Sequence, residues 1–223
     1  MSLICPVGHP LTSCLCDADR LLIQGLEEEI LRLRNATVFA LSEMLDLKDI
    51  DTGLHSTRLG EWAVRVGELM SIHTRDLRDL ETGAILHDIG KNGVPESILN
   101  KPGPLDPEER KRVEKHSEYG WAILKSIPGF EKASLLVLHH HERIDGKGYP
   151  AGLMGSDIPL GSRVIAVIDS FDAMVSNRAY RKGLPMEEAL RRLTSDSGTQ
   201  FDANIVSVFR QIAEQDFAEV IDA

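Results

Sequence analysis

Aromatic residues are scarce, at 5% of the chain with two Trp and three Tyr, so any hydrophobic core must be aliphatic. No apolar run approaches the roughly 18 residues of a membrane-spanning helix, which excludes such a helix on sequence grounds. Cysteine is limited to Cys5, Cys14 and Cys16. An odd number crowded at one end makes no disulfide scaffold. No Lys or Arg precedes Arg20 and no long apolar stretch precedes Cys14, so a signal peptide is not expected and the thiols are read as reduced, in a cytoplasmic protein. Positive charge is also short: 25 Lys and Arg face 35 Asp and Glu, a formal net charge of −10. That balance excludes DNA wrapping by counterion release, so a phosphate-bearing ligand must be drawn by local cations or by metal.

What is present is ordinary globular material, 42% hydrophobic and 27% charged over 223 residues, which fits one large domain and an appendage. Residues 1–16 form a Cys- and His-bearing segment. Residues 17–48 read as one long helix in which Ile23, Leu26, Ile30, Leu33, Thr37, Ala40, Met44 and Leu47 recur at steps of three and four. That heptad-like seam suits pairing with a second copy through residues 20–48, whereas Val38, Leu41 and Leu45 widen the apolar face toward packing on the chain's own domain. Residues 49–223 form the main domain, with helices expected over 55–70, 75–88, from Asp106 to about Lys125, and over 131–142, 162–176, 186–194 and 201–215. Asp106-Pro107-Glu108-Glu109 is a helix start with a capping box. Gly- and Pro-rich residues 143–161 must be a loop. No strand pattern of useful length is present, so the fold class is all-α.

The histidines fall where helical periodicity calls for hydrophobes. His116 shares a stripe with Val113, Gly120 and Leu124; His140 and His141 follow Ala133, Leu136 and Val137. His87-Asp88 closes a helix, and Asp169 ends the aliphatic run Val164–Ile168. One inward His is more often a hydrogen-bonded core residue than a ligand. Several imidazoles and carboxylates together could not be buried cheaply without cations, and a cluster of divalent ions supplies them. Mixed nitrogen and oxygen ligands suit iron, manganese or zinc. Neighbouring residues on a helix splay by about 100°, so His87 and Asp88 can serve different ions. Two such ions can share a hydroxide and clamp a phosphate.

These residues in this order resemble the HD-GYP family of the HD phosphohydrolase superfamily. The likeness runs from about Asp51 to Phe209. It includes His55-Ser56-Thr57-Arg58, His87-Asp88-Ile89-Gly90-Lys91, Lys101-Pro102-Gly103, His116, and the specific string from His140-His141-Glu142 to Asp145-Gly146-Lys147-Gly148-Tyr149-Pro150. It continues through Asp169-Ser170-Phe171-Asp172-Ala173, Arg178-Ala179-Tyr180-Arg181 and Gln200-Phe201-Asp202. The resemblance implies an HD-domain helical bundle, here preceded by the long helix, and a metal-dependent phosphodiesterase that hydrolyses cyclic di-GMP to pGpG or GMP through a metal-bridging hydroxide. It implies metal ligation by His55, His87, Asp88, His116, His140, His141 and Asp169. A third ion would call on Asp51, where the trinuclear pattern has the longer Glu. It gives Lys91 a place beside the scissile phosphate and Asp88 the metal bridge. Tyr149, Arg178 and Arg181 would hold the dinucleotide, and Asp172 is expected to support a ligand. Members of the family also prefer cyclic GMP-AMP or dock diguanylate cyclase (GGDEF) domains through the Gly-Tyr-Pro loop, and a non-hydrolytic sensor is the competing reading. His139 is expected to face outward and His73 to mark a helix boundary. Cys5, His9, Cys14 and Cys16 offer a zinc-type ligand set, against the plainer reading of a tail with incidental thiols.

Overall fold

The structure, a computed structural model, describes residues 17–46, 53–177 and 182–221. Asp51, Arg178, Arg181, Leu47, Cys5, His9, Cys14 and Cys16 lie outside the described residues. The chain divides into two compact units, Met1–Ala40 and Leu41–Ala223. The described part of the first belongs to a helix, α1 (Asp17–Asp46), whose end lies in the second unit. Leu26, Ile30 and Leu33 of its seam are 55%, 66% and 55% exposed.

The second unit is built from α2 (Gly53–Leu69), α3 (Thr74–Leu86), α4 (Glu96–Leu99), α5 (Pro107–Glu114), α6 (His116–Leu124), α7 (Glu131–Leu138), α8 (Leu160–Val175), α9 (Met186–Ser195) and α10 (Ala203–Ile221). No strand forms among the described residues, where β pairing is confined to two isolated bridges, Asp145 with Met154 and Ser197 with Phe201. No helix among them is long and apolar enough to cross a membrane. The all-α expectation holds.

α8 is the central beam. Val164, Ile165, Val167, Ile168 and Phe171 are buried, in contact with α2, α3, α7, α9 and α10. Phe171, Trp62 and Phe209 meet edge to face, with centroids 5.1–5.7 Å apart, so three of the few aromatics bind α8, α2 and α10 together. Apart from these three and Phe201, the cluster is aliphatic, as the composition requires.

Two expected helices are shorter than their periodicity suggested. The helix starting at Asp106 has its capping box, with Glu108 and Glu109 amides donating to Asp106 Oδ1 and the Asp106 amide donating to Glu109 Oε2. However, it breaks at Lys115, between α5 and α6. The helix expected over 131–142 stops at Leu138. After α3 the chain turns into a 3-10 helix, Ile89–Gly93, that packs on α6. A Cβ on Gly90 would lie 1.8 Å from the His116 carbonyl oxygen, so only glycine permits that approach.

Candidate metal centre

The helix breaks build the site. His87 follows the end of α3, His116 follows the break after α5, and His140 follows α7. In each, ring Nδ1 lies against the carbonyl oxygen three residues earlier: Ala84 at 2.8 Å, Val113 at 2.7 Å and Val137 at 2.6 Å. These carbonyls belong to the last turns of their helices, where intrahelical donors run out. A carbonyl only accepts, so each Nδ1 carries the proton and donates it, and each Nε2 lone pair is left to point inward. His55, on α2, reaches the same tautomer differently: its Nδ1 lies 2.5 Å from Asp172 Oδ2.

The Nε2 atoms converge. His116 Nε2 is 3.4 Å from that of His140 and 3.1 Å from that of His141. His87 Nε2 is 3.3 Å from Asp88 Oδ2 and 3.6 Å from Asp169 Oδ1, and His55 Nε2 is 3.7 Å from the same Asp169 oxygen. The other Asp88 oxygen, Oδ1, is 3.5 Å from His116 Nε2. Two clusters result, His55 with His87 and Asp88, and His116 with His140 and His141; within each, one ligand-type atom from every residue lies within 4.8 Å of the others. Asp88 touches both. The structure therefore brings together seven of the eight residues expected as metal ligands; the eighth, Asp51, is not among those described.

Electrostatics separates the two clusters. Burial and neighbouring rings depress His116 and His140, and bring His141 down to about 4, so these three are neutral lone-pair donors near pH 7. Burial also works against a charge on His87, but the Asp88 and Asp169 carboxylates outweigh it and push the ring up to about 10. Those carboxylates are themselves held well below their usual range: against the cost of burial, Lys91 and His87 act on Asp88 and His87 acts on Asp169. His87 Nε2 is buried without a hydrogen-bond partner. A buried Nε2 with no hydrogen-bond partner, 3.3 and 3.6 Å from two carboxylate oxygens, is where a divalent cation would take the place of that ring's second proton, and the donor set fits one.

Around the clusters, Lys91 Nζ lies 2.7 Å from Asp88 Oδ2. Tyr149 packs on His141 with ring centroids 4.8 Å apart. A cavity of about 270 Å³ opens over His140, His141 and Asp169 and is walled by Tyr149, Arg110 and Glu114. Three residues without an assigned role on sequence grounds contribute structurally. Arg58 and Ser176 hold Asp172 behind His55; the signal was Arg58, one turn after His55 on the same face. Glu142 is buried and accepts the amides of Ala151, Gly152 and Leu153 at 2.7, 3.1 and 3.1 Å, clamping the loop that carries Tyr149. Gly148 fits inside this clamp, since a Cβ there would come within 2.5 Å of the Glu142 Cα and the His141 carbonyl. His139 departs from expectation. It does not face outward, because its Nδ1 is buried 3.6 Å from Glu142 Oε1. His73 does mark a boundary, as N-cap of α3.

Comparison with known proteins agrees with the site. The family model of the HD domain matches residues 39–205. A cyclic di-GMP phosphodiesterase of Thermotoga maritima is 36% identical over 200 residues, covering 87% of this chain and 54% of the relative. A 3′3′-cGAMP-specific phosphodiesterase of Vibrio cholerae is 34% identical over 174 residues, covering 78% and 38%. The chain thus spans about half the length of the curated relatives it matches. Among solved structures, an HDG"Y"P protein from Bdellovibrio bacteriovorus shares the fold with a TM-score of 0.60 and 21% identity, covering 75% of this chain and 53% of that one. On the match of its sequence model and of the His-Asp framework just described, the chain belongs to the HD domain family, in its HD-GYP branch.

Proposed function

We propose that this chain hydrolyses cyclic di-GMP, giving pGpG or GMP, at the paired His/Asp clusters. The observation that carries the reading is the common tautomer of His55, His87, His116 and His140, which aims three Nε2 atoms at the carboxylates Asp88 and Asp169 and the fourth, that of His140, at His116 Nε2. One divalent ion would be held by His55, His87 and Asp88 and another by His116, His140 and His141, with Asp169 serving the first cluster and Asp88 reaching both. Asp51 is assigned to a third ion. The nitrogen-rich donor set without thiolate favours iron or manganese, with zinc as the alternative. Bound ions supply charge neutralisation at the phosphate and a water nucleophile ionised near neutral pH.

The chain's own groups do the rest. Asp88 separates its two oxygens between the clusters and so fixes their spacing. Lys91, ion-paired to Asp88, places an ammonium where the phosphate oxygens accumulate charge and where the leaving 3′-oxygen needs a proton. Tyr149 and His141 form an aromatic wall that shields the reacting face. Arg178 and Arg181 are assigned to the phosphates by their place in the family motif, with the forked geometry that suits them. Two of the relatives' printed substrates, cyclic di-GMP and 3′3′-cGAMP, define the first and second choices of dinucleotide. The test is anaerobic incubation with each dinucleotide and Fe(II) or Mn(II), products resolved by chromatography and metal counted on the same sample. Turnover that is lost in His87→Ala and Asp88→Ala together with bound metal supports the assignment; both variants working normally would end it.

The long helix and the loop carry two further assignments. The α1 seam places Ile23 and Ile30 at a positions and Leu26 and Leu33 at d positions, the combination that favours a parallel two-stranded coiled coil, and we assign it to pairing with a second copy. The exposed rim Lys147, Pro150, Ala151 and Gly152 is the face we assign to docking a diguanylate cyclase domain.

A further inference from the structure

One wall of the cavity has no part in the chemistry above. Arg110 and Glu114 lie four residues apart on α5, so their side chains share a face, and both line the cavity opposite Gly148 and Tyr149. Neither side chain has a hydrogen bond or an ion pair among the described residues. That is unusual for a half-buried carboxylate on a helix otherwise laced with pairs such as Lys101–Glu109. Tyr149 lines the same cavity. Burial, and then the Glu114 carboxylate, raise that phenol above its usual range, and the Arg110 guanidinium acts the other way. The cavity that His140 and His141 line therefore also holds a two-oxygen acceptor, half-buried, and an exposed forked donor, neither with a protein partner among the described residues.

We propose that Glu114 and Arg110 read a guanine base and so set the choice of nucleotide. Guanine presents N1–H and N2–H side by side, two parallel donors that match the two oxygens of a carboxylate. Its O6 and N7 are two neighbouring acceptors that match a guanidinium fork. Adenine inverts the first pattern, because its N1 is a lone pair that would face the Glu114 carboxylate, and it offers only one acceptor and one donor to Arg110. A site built to pair particular N–H groups rejects the base that lacks them, since the bound base covers the half-buried Glu114 acceptor and leaves it without a donor. Ligand discrimination thus falls to α5, outside the metal ligands and outside the Gly-Tyr-Pro loop.

The inference rests on the proposed action on a guanine-bearing dinucleotide, and its test is independent of turnover. Equilibrium binding of GMP, IMP and AMP to the metal-loaded protein is measured by calorimetry, for wild type and for Glu114→Gln, with chromatography of cyclic di-GMP incubations run on the same samples. GMP should bind wild type about 10–100-fold more tightly than AMP, with IMP, which lacks the N2 amine, between them. Glu114→Gln should collapse the GMP-to-AMP ratio toward one, whereas a merely structural role for Glu114 would weaken all three nucleotides alike. AMP binding as well as GMP to wild type, or an unchanged ratio in Glu114→Gln, overturns the assignment. Failure to cleave cyclic di-GMP alongside an intact GMP preference would instead overturn the proposed reaction and leave the base reading standing.

Discussion

Asp172 Oδ2 lies 2.5 Å from His55 Nδ1, and the other Asp172 oxygen accepts Arg58 Nε at 2.6 Å. The carboxylate is buried, which by itself opposes its charge, yet His55 and Arg58 hold it below the usual carboxylate range. It is therefore an ion that fixes the tautomer of His55 and orients its Nε2. Carboxylates in this position behind a ligating imidazole typically govern metal affinity by about 10–100-fold. Asp172→Ala should weaken metal binding by that factor while the helical fold persists, and Asp172→Asn should weaken it less, because the amide oxygen still accepts the Nδ1 proton. Metal titrations of the three proteins decide the matter; equal affinities would show that His55 is oriented by packing alone.

Much of this arrangement was legible in the sequence. The inward-facing His87, Asp88, His116, His140, His141 and Asp169, the capping box at Asp106 and the loop over 143–161 follow from spacing and periodicity, whereas His55 and the supporting role of Asp172 came with the family resemblance. The helix breaks did not. Between Pro107 and Lys125 no Pro or Gly other than Gly120 interrupts the apolar pattern, so local propensity predicts one helix. The helix ends at Lys115 and at Leu138 go with an inward-turned His, His116 and His140 respectively, that gives its Nδ1 proton to a last-turn carbonyl. Propensity carries no term for that exchange. The same blindness hid Arg110 and Glu114, whose shared face reads as an ordinary solvated helix surface until the cavity is in view.

Glu142 makes the second prediction. It accepts three backbone amides from Ala151 to Leu153 and anchors the loop that presents Tyr149. Replacing it with Ala leaves those donors without an acceptor, at about 1–3 kcal/mol for each that stays buried. Glu142→Ala should lower the melting temperature and speed hydrogen exchange at 151–153, and it should raise KM for the dinucleotide. Glu142→Gln, which keeps one acceptor oxygen, should fall between. Normal exchange rates at those amides in the Ala variant would show that the loop is held from elsewhere.

Acid should reach the same loop through Asp145. Its pairing with Arg143, at 2.9–3.0 Å through both oxygens, holds its pKa at about 2. A depressed carboxylate contributes stability that is present above the unfolded value of about 3.9 and lost as pH falls through the folded one. The loop should thus keep its order down to pH near 4 and lose it on the way to 2. Carboxyl NMR should find the Asp145 midpoint near 2 in wild type and near the ordinary value in Arg143→Ala. An unshifted midpoint in wild type would mean the ion pair is absent in solution.

The α1 seam yields a prediction with a built-in register. With Ile23 and Ile30 at a and Leu26 and Leu33 at d, Glu29 takes a g position and Arg34 the e position of the next heptad. In a parallel, in-register pair those two positions face each other across the interface, so Glu29 of one copy meets Arg34 of the other on both sides of the seam. Within its own helix Glu29 already pairs with Arg32, which costs little to exchange because both are exposed. Light scattering should report a dimer for wild type and a monomer for Ile30→Asp, whose charge cannot enter the seam. Glu29→Arg and Arg34→Glu should each weaken the dimer several-fold, and the double exchange should restore it. An antiparallel or staggered pair has no reason to respond in this way: equal affinities across all four proteins would exclude the parallel register, and a monomeric wild type would exclude the pairing itself.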